Sequence, residues 1–167
     1  LHVKGVDVGA LKADLTFDSG VGNIMIDGDV NQSEGGHSHV TGYIRPAGGA
    51  GIDLTFEAER LRADFIGKFM DTLFDHVQGR ATGKVRLFGV FEEGVTVEGE
   101  ADIEDGNIGV RLLGTSYSFS HRLTFTPTSI IFSKIPMRDD EGHTGIVDGV
   151  IRHRFFGDFD LDLTASE

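Results

Sequence analysis

The side chains in this 167-residue chain best suited by type to chemistry are its histidines and its rows of acids. His37 and His39 stand two apart in Gly35-Gly36-His37-Ser38-His39, and on a strand that spacing sends both rings to one side. Two imidazoles on one face can begin a metal site, but a site needs a third ligand, and none stands at a recognisable spacing. An exposed polar strand start is the preferred reading of the pair. Asp158, Asp160 and Asp162 are like charges at i, i+2 and i+4 that could attract calcium, yet no EF-hand loop surrounds them. A solvated strand face explains them better, and Asp139-Asp140-Glu141-Gly142 reads as an acidic turn. There is no G-x-S-x-G, P-loop, H-E-x-x-H or G-x-G-x-x-G motif. Among 27 acids nothing singles out a pair for general acid–base work. The chain is expected to be no enzyme, with no catalytic residue, no metal and no cofactor.

The elements that carry these residues are read from periodicity. Leu11, Ala13, Leu15 and Phe17 alternate with Lys12, Asp14 and Thr16; Ile52, Leu54, Phe56 and Ala58 alternate with Asp53, Thr55 and Glu57. The same alternation runs through Val95–Ile103 and Phe159–Ala165, with weaker versions between. Period two with one apolar side is the pattern of a half-buried strand. Turn signals such as Asp18-Ser19-Gly20, Gly48-Gly49-Ala50-Gly51 and Asp105-Gly106-Asn107 separate the runs. At ordinary strand and turn lengths this makes on the order of a dozen strands. One-sided apolarity favours antiparallel pairing with one face wet.

One segment breaks the rhythm. Ile66, Phe69, Met70, Leu73, Phe74 and Val77 fall on a single helical stripe, with Asp64 as an N-cap and Gly79 as a C′ residue. The spacing predicts a helix over 65–78, between β-repeats at 1–64 and 79–167 of one β-rich domain. Such a helix is about 20 Å long, whereas a dozen strands laid open would span over ~50 Å. One helix cannot cover that apolar face. Either the sheet folds on itself as a sandwich or barrel, or part of the face is left for something else.

Composition narrows the classes of partner. Fifteen basic residues against 27 acidic ones give a formal charge of −12, which disfavours nucleic acid and a polybasic membrane contact. There are no cysteines, so no disulfide framework or thiolate metal site can form. Twenty-four glycines with only three prolines suit many short strands joined by tight turns. The chain starts at Leu1 with no basic n-region before an apolar stretch, and it holds no apolar run of spanning length. It is therefore expected to be a segment of a longer envelope protein whose membrane anchor lies outside it.

From about residue 69 onward the chain resembles a known family. Three stretches carry the resemblance: Phe69-Met70 with Gly79-Arg80-Ala81-Thr82-Gly83-Lys84-Val85-Arg86-Leu87-Phe88-Gly89; Leu113-Gly114-Thr115-Ser116-Tyr117-Ser118-Phe119 with Leu123-Thr124-Phe125-Thr126-Pro127; and Asp139-Asp140-Glu141-Gly142-His143 with Gly149-Val150-Ile151-Arg152-His153, Phe156 and Asp158 to Leu163. Together they are similar to TamB proteins of Bacteroidetes-type Gram-negative bacteria, within the AsmA-like group. The motifs are structural and span roughly the last hundred residues. What the resemblance implies is an elongated β-rich solenoid curled into a half-pipe, or β-taco, with an apolar interior, which fits the mostly antiparallel curved sheet and the one short amphipathic helix expected from the spacing. It further implies a periplasmic segment of an inner-membrane-anchored protein that works with an outer-membrane barrel of the TamA/BamA type. The associated processes are outer-membrane biogenesis, the assembly and secretion of outer-membrane proteins, and movement of phospholipid.

On that reading phospholipid acyl chains would lie along the apolar strand faces. The candidate lining residues toward the N-terminus are Leu15, Phe17, Ile52, Leu54 and Phe56, with Lys12, Asp14, Asp53 and Glu57 staying wet. The remaining candidates are Phe69, Leu73, Val97, Phe125 and Leu161. Two rivals belong to other classes: a strand-pairing module that chaperones unfolded outer-membrane proteins through exposed sheet edges, and a carbohydrate-binding or glycosidase-like β-sandwich.

Overall fold

The computed structural model describes residues 2–3, 6–7, 9–64, 67 and 70–167. Two short strands, β1 (His2–Val3) and β2 (Val6–Asp7), pair with each other. Then come β3 (Ala10–Asp18), β4 (Asn23–Asn31), β5 (His37–Arg45), β6 (Gly51–Arg62), β7 (Phe74–Val90), β8 (Gly94–Val110), β9 (Thr115–Thr126), β10 (Ser129–Asp139), β11 (Thr144–Arg154) and β12 (Gly157–Ser166). These ten form one sheet in sequence order, every neighbouring pair antiparallel. The all-β, antiparallel architecture expected from alternation is therefore present, and the ten strands form one open meander whose outer strands are β3 and β12. At about 4.8 Å per strand it is roughly 43 Å wide along its arc.

Register turns the sequence alternation into two chemically distinct faces. Following the paired residues across all ten strands, one row reads Ala13, Gly28, Val40, Phe56, Val85, Gly99, Phe125, Ile130, Ile151 and Leu161. Not one of the ten is polar. The row one residue away reads Lys12, Asp29, His39, Glu57, Lys84, Glu100, Thr124, Ile131, Val150 and Asp162. Because neighbouring side chains leave on opposite sides of a strand, the first row is apolar face and the second is mostly charged face.

Curvature is built in along the strands. Gly42 and Gly99 stand at apolar-face positions with φ of 139° and 136°. A Cβ there would sit 2.0 Å from the Asp53 carbonyl oxygen and 2.2 Å from that of Lys84. Such glycine kinks let a sheet coil where a side chain would block the approach. Bulges add to this. Arg60, Asp105 and Lys134, on β6, β8 and β10, take φ near 50° at register shifts. In each case the freed N–H donates to a side chain of the following strand: Arg60 to Thr82 Oγ1 at 3.0 Å, Asp105 to Ser120 Oγ at 3.0 Å, and Lys134 to Asp148 Oδ1 at 2.9 Å. The same device recurs on β6, β8 and β10 and strengthens the local twist.

The helix expected over 65–78 is not formed where the chain is described. Phe65, Ile66, Lys68 and Phe69 lie outside the described residues. Met70 to Leu73 make a turn, with the Leu73 and Phe74 N–H groups donating to the Met70 carbonyl at 3.0 and 2.9 Å. Phe74 then opens β7 and pairs with Val110, and Val77 pairs with Ile108. The reason is the length of the partner: β8 continues to Val110, and its ladder captures the residues a lone helix would have used. A register shift between Phe74 and His76 leaves both Phe74 and Val77 packed in the core although they are three residues apart. A bulged strand thus imitates helical spacing.

The core has two parts. The larger lies on β7–β11 around Ile135, which is fully buried, with Ile103, Ile108, Phe119, Ile130, Phe132, Met137 and Ile151, and is topped by Met70 and Phe74. The smaller, Val30, Val40 and Leu54, lies on β4–β6.

Candidate functional site

The apolar face is the feature that most needs an explanation, because its cover is uneven. Between β7 and β11 its side chains bury one another beneath the Met70–Phe74 turn. Toward the edges the cover thins: Leu15 and Phe17 on β3 are 66% and 63% exposed, and Leu161 on β12 is 43% exposed. The apolar side chains of β3 and β12 thus continue the line of the buried core out into water.

The predicted lining residues fall into place unequally. Leu15, Leu54 and Val97 share a row through Ile26, Gly42 and Leu87, and Phe17 joins Ile52 through Ile24 and Ile44. Phe56, Phe125 and Leu161 lie on the unbroken ten-residue row. Ile52, Phe56, Val97 and Phe125 are half-buried, whereas Leu54 is 8% exposed and belongs to the smaller core. Leu73 is not on a row at all; it packs from the turn before β7. Phe69 lies outside the described residues. Lys12, Asp14, Asp53 and Glu57 all lie on the other face.

That other face is a lattice of ion pairs. Arg86 donates to both Asp53 oxygens at 2.8 and 2.7 Å and to Glu98 at 2.9 Å, and it stacks 4.4 Å over the Phe88 ring. Lys84 donates to Glu57 at 2.8 Å, and Arg122 to Asp102 at 2.8 and 2.9 Å. The Arg86 hydrogen bonds hold Asp53 below the usual carboxylate range. A concavity of about 470 Å³ on this face is lined by Lys84, Arg86, Glu98, Glu100, Asp102 and Arg122. Those charges already neutralise one another, so it offers no unpaired group to a ligand.

The histidine pair of β5 lies on the same face. His37 Nε2 is 3.0 Å and His39 Nδ1 3.1 Å from Asp29 Oδ1, and His39 Nε2 is 3.3 Å from Asp27. The hydrogen bond to Asp29 raises the His39 pKa, and His39 in turn lowers that of Asp29. Among the described residues no group of three or more His, Asp or Glu is placed to hold a metal ion. Arg152 on β11 contacts two acids of the last strand, Asp160 at 3.3 Å and Asp162 at 3.5 Å, while Asp158 takes a φ of 45° at a register irregularity. Asp139 caps the acidic turn, accepting from the His143 N–H at 2.8 Å.

One residue had no signal in sequence. His153 is 5% exposed, stacks on Phe156 at 4.4 Å between ring centroids, and accepts the Phe156 N–H at Nδ1. That leaves Nε2 as the protonated nitrogen, buried and without a partner. Burial lowers its pKa, so the ring is neutral. Only the parity of its strand, two residues beyond Ile151, could have placed it on the apolar side.

No family model matches the chain, and no curated protein and no solved structure is significantly similar to it.

Proposed function

We propose that this chain is a TamB-like segment of a periplasm-spanning protein of outer-membrane biogenesis, in which the apolar face shelters phospholipid acyl chains. The observation that supports this reading most is the unbroken apolar row across ten strands from Ala13 to the half-exposed Leu161, flanked on the same face of β3 by Leu15 and Phe17, which are 66% and 63% exposed. A curved sheet with a greasy inside and a charged outside meets the two needs of a lipid in water: hydrocarbon contact for the chains and solvent for the headgroup. Each methylene moved from water into such a lane gains about 0.8 kcal/mol, so a partly covered chain is held firmly yet can slide.

The most open part of the face toward the N-terminus is β3, because β7–β11 fills its own interior and Val30, Val40 and Leu54 already bury one another on β4–β6. Partners follow from the resemblance: phospholipid for this segment, and a barrel of the TamA/BamA type for the parent protein. The role is non-catalytic. Incubating delipidated protein with vesicles of phosphatidylethanolamine, then weighing the intact protein by native mass spectrometry, tests the proposal. Bound phospholipid that is lost in a Leu15→Asp, Phe17→Asp variant is the expected result. Protein that emerges free of lipid, or a variant that retains it, overturns the reading.

A further inference from the structure

The β11–β12 hairpin turns on two bulky residues in a conformation that suits neither. Arg154 pairs with Gly157, so Phe155 and Phe156 are the two central residues of the turn, with φ of 51° and 57°. Positive φ at both positions is the pattern of a type I′ turn, which Asn-Gly fills readily. Phenylalanine takes that conformation only where the surroundings hold it there. Two contacts do so. The Phe155 ring lies against Gly94, where an added Cβ would stand 2.3 Å from Phe155 Cγ. Phe156 stacks on His153 at 4.4 Å between ring centroids, and its N–H donates to His153 Nδ1 at 3.3 Å.

The second contact works only with a neutral imidazole. Nε2 carries the proton, and a bare Nδ1 is what accepts. Protonating Nδ1 would set one N–H against another, inside a pocket that holds no balancing charge. β10 meets His153 through the Thr128 carbonyl, which accepts the His153 N–H at 2.8 Å, and β12 meets it through the Phe159 ring, 6.3 Å away between centroids. From Ser129 to Ser133, β10 carries no charge. The charges on the other packed elements are Arg152 and Arg154 on β11, Asp158, Asp160 and Asp162 on β12, and Glu92 and Glu93 ahead of Gly94. Arg152 binds Asp160 and Asp162 on the charged face, and none of these groups bonds the ring.

We infer that His153 is an acid-released latch: protonation at Nδ1 frees the Phe155–Phe156 turn, and with it the Phe156 and Phe159 rings that pack on the larger core. The closed corner is poised for this, because the Nε2–H is buried without a partner and opening gives both ring nitrogens water. Burial alone shifts the ring's pKa, and it shifts it down. The closed corner therefore keeps the ring neutral, and acid favours the open one. Acidification thus uncovers apolar surface at the β12 end of the face while the other strands stay paired. The latch does not depend on what that face binds.

Hydrogen exchange of the 167-residue protein, followed by NMR at about pH 7.5 and about pH 5.5 and corrected for intrinsic rates, tests the latch. Opening read at the Phe156 amide and its neighbours in the hairpin should rise roughly tenfold, the gain for a histidine that is neutral when closed and titrates near 6.5 when open. Protection in β4–β6 should change by less than about twofold. In H153F, which keeps a ring against Phe156 and has no nitrogen to protonate, the local acid response should vanish. The imidazole ¹⁵N shifts of the unmodified protein need no variant, and at about pH 7.5 they should show the Nε2–H tautomer. An Nδ1–H tautomer, unchanged opening in acid, the same acid response in H153F, or an equal loss of protection across β4–β6 would each overturn the inference.

Discussion

Single residues on one row of the apolar face do different work, and their exposure says which. Leu15 and Leu54 lie on the same row, yet one is 66% exposed and the other 8%. Leu54→Ala removes packing from the Val30–Val40 cluster and is expected to cost about 2–4 kcal/mol in urea unfolding; Leu15→Ala should stay within ~0.5 kcal/mol. Two histidines should titrate in opposite directions in an NMR pH series. His39, bonded to Asp29, should have its midpoint above 6.5 and His153, buried, below it. The linkage signs differ accordingly. His39 adds stability below its unfolded value of 6.5, lost as pH rises through the higher folded value. Asp29, whose pKa is lowered, adds stability above its unfolded value of 3.8, lost as pH falls through the folded value. Burying His153 neutral adds stability at high pH that is lost as pH falls below 6.5. His39→Gln should therefore remove a decline in thermal midpoint between about pH 6 and 8, and His153→Phe an opposing rise. The partition of Leu54 and Asp53 between faces was legible from alternation alone. The burial of Leu54 was not, because it depends on which side chains the register sets around it, Val30 and Val40 with Ile26, Ile52 and Phe56.

At the scale of elements, the three bulges carry a prediction of their own. Thr82→Ala, Ser120→Ala and Asp148→Ala each remove the acceptor for one bulged N–H. Each should destabilise by about 0.5–1.5 kcal/mol, and Thr82→Ser should restore what Thr82→Ala loses. Gly99→Ala should be worse, at about 1–3 kcal/mol, since it imposes a side chain on a φ of 136° beside the Lys84 carbonyl. Strand existence was readable from period two at Leu11–Phe17, Ile52–Ala58, Val95–Ile103 and Phe159–Ala165. The bulges were not, because Arg60, Asp105 and Lys134 share no residue type; what they share is an acceptor on the next strand. The same blindness produced the helix over 65–78. A register shift at Phe74–His76 spaces Phe74 and Val77 by three, and only the long partner strand β8 shows that the period belongs to a sheet.

For the whole molecule, the sequence left a sandwich, a barrel and an open face as alternatives, and register decides among them. Ten strands in order, with β3 and β12 both at edges, are neither a barrel nor two stacked sheets of comparable size among the described residues. A carbohydrate-binding sandwich loses its architecture on that ground. What the open sheet holds is the central claim, and parity along β3 is its sharpest test, because Asp14, Leu15, Thr16 and Phe17 alternate faces over a few ångströms. A photo-crosslinking residue placed at each of these four positions in turn, with the protein incubated with phospholipid vesicles, reads which face meets lipid. The account predicts phospholipid adducts at 15 and 17 and none at 14 and 16. Adducts at all four positions, or at none while the protein is folded, would contradict it.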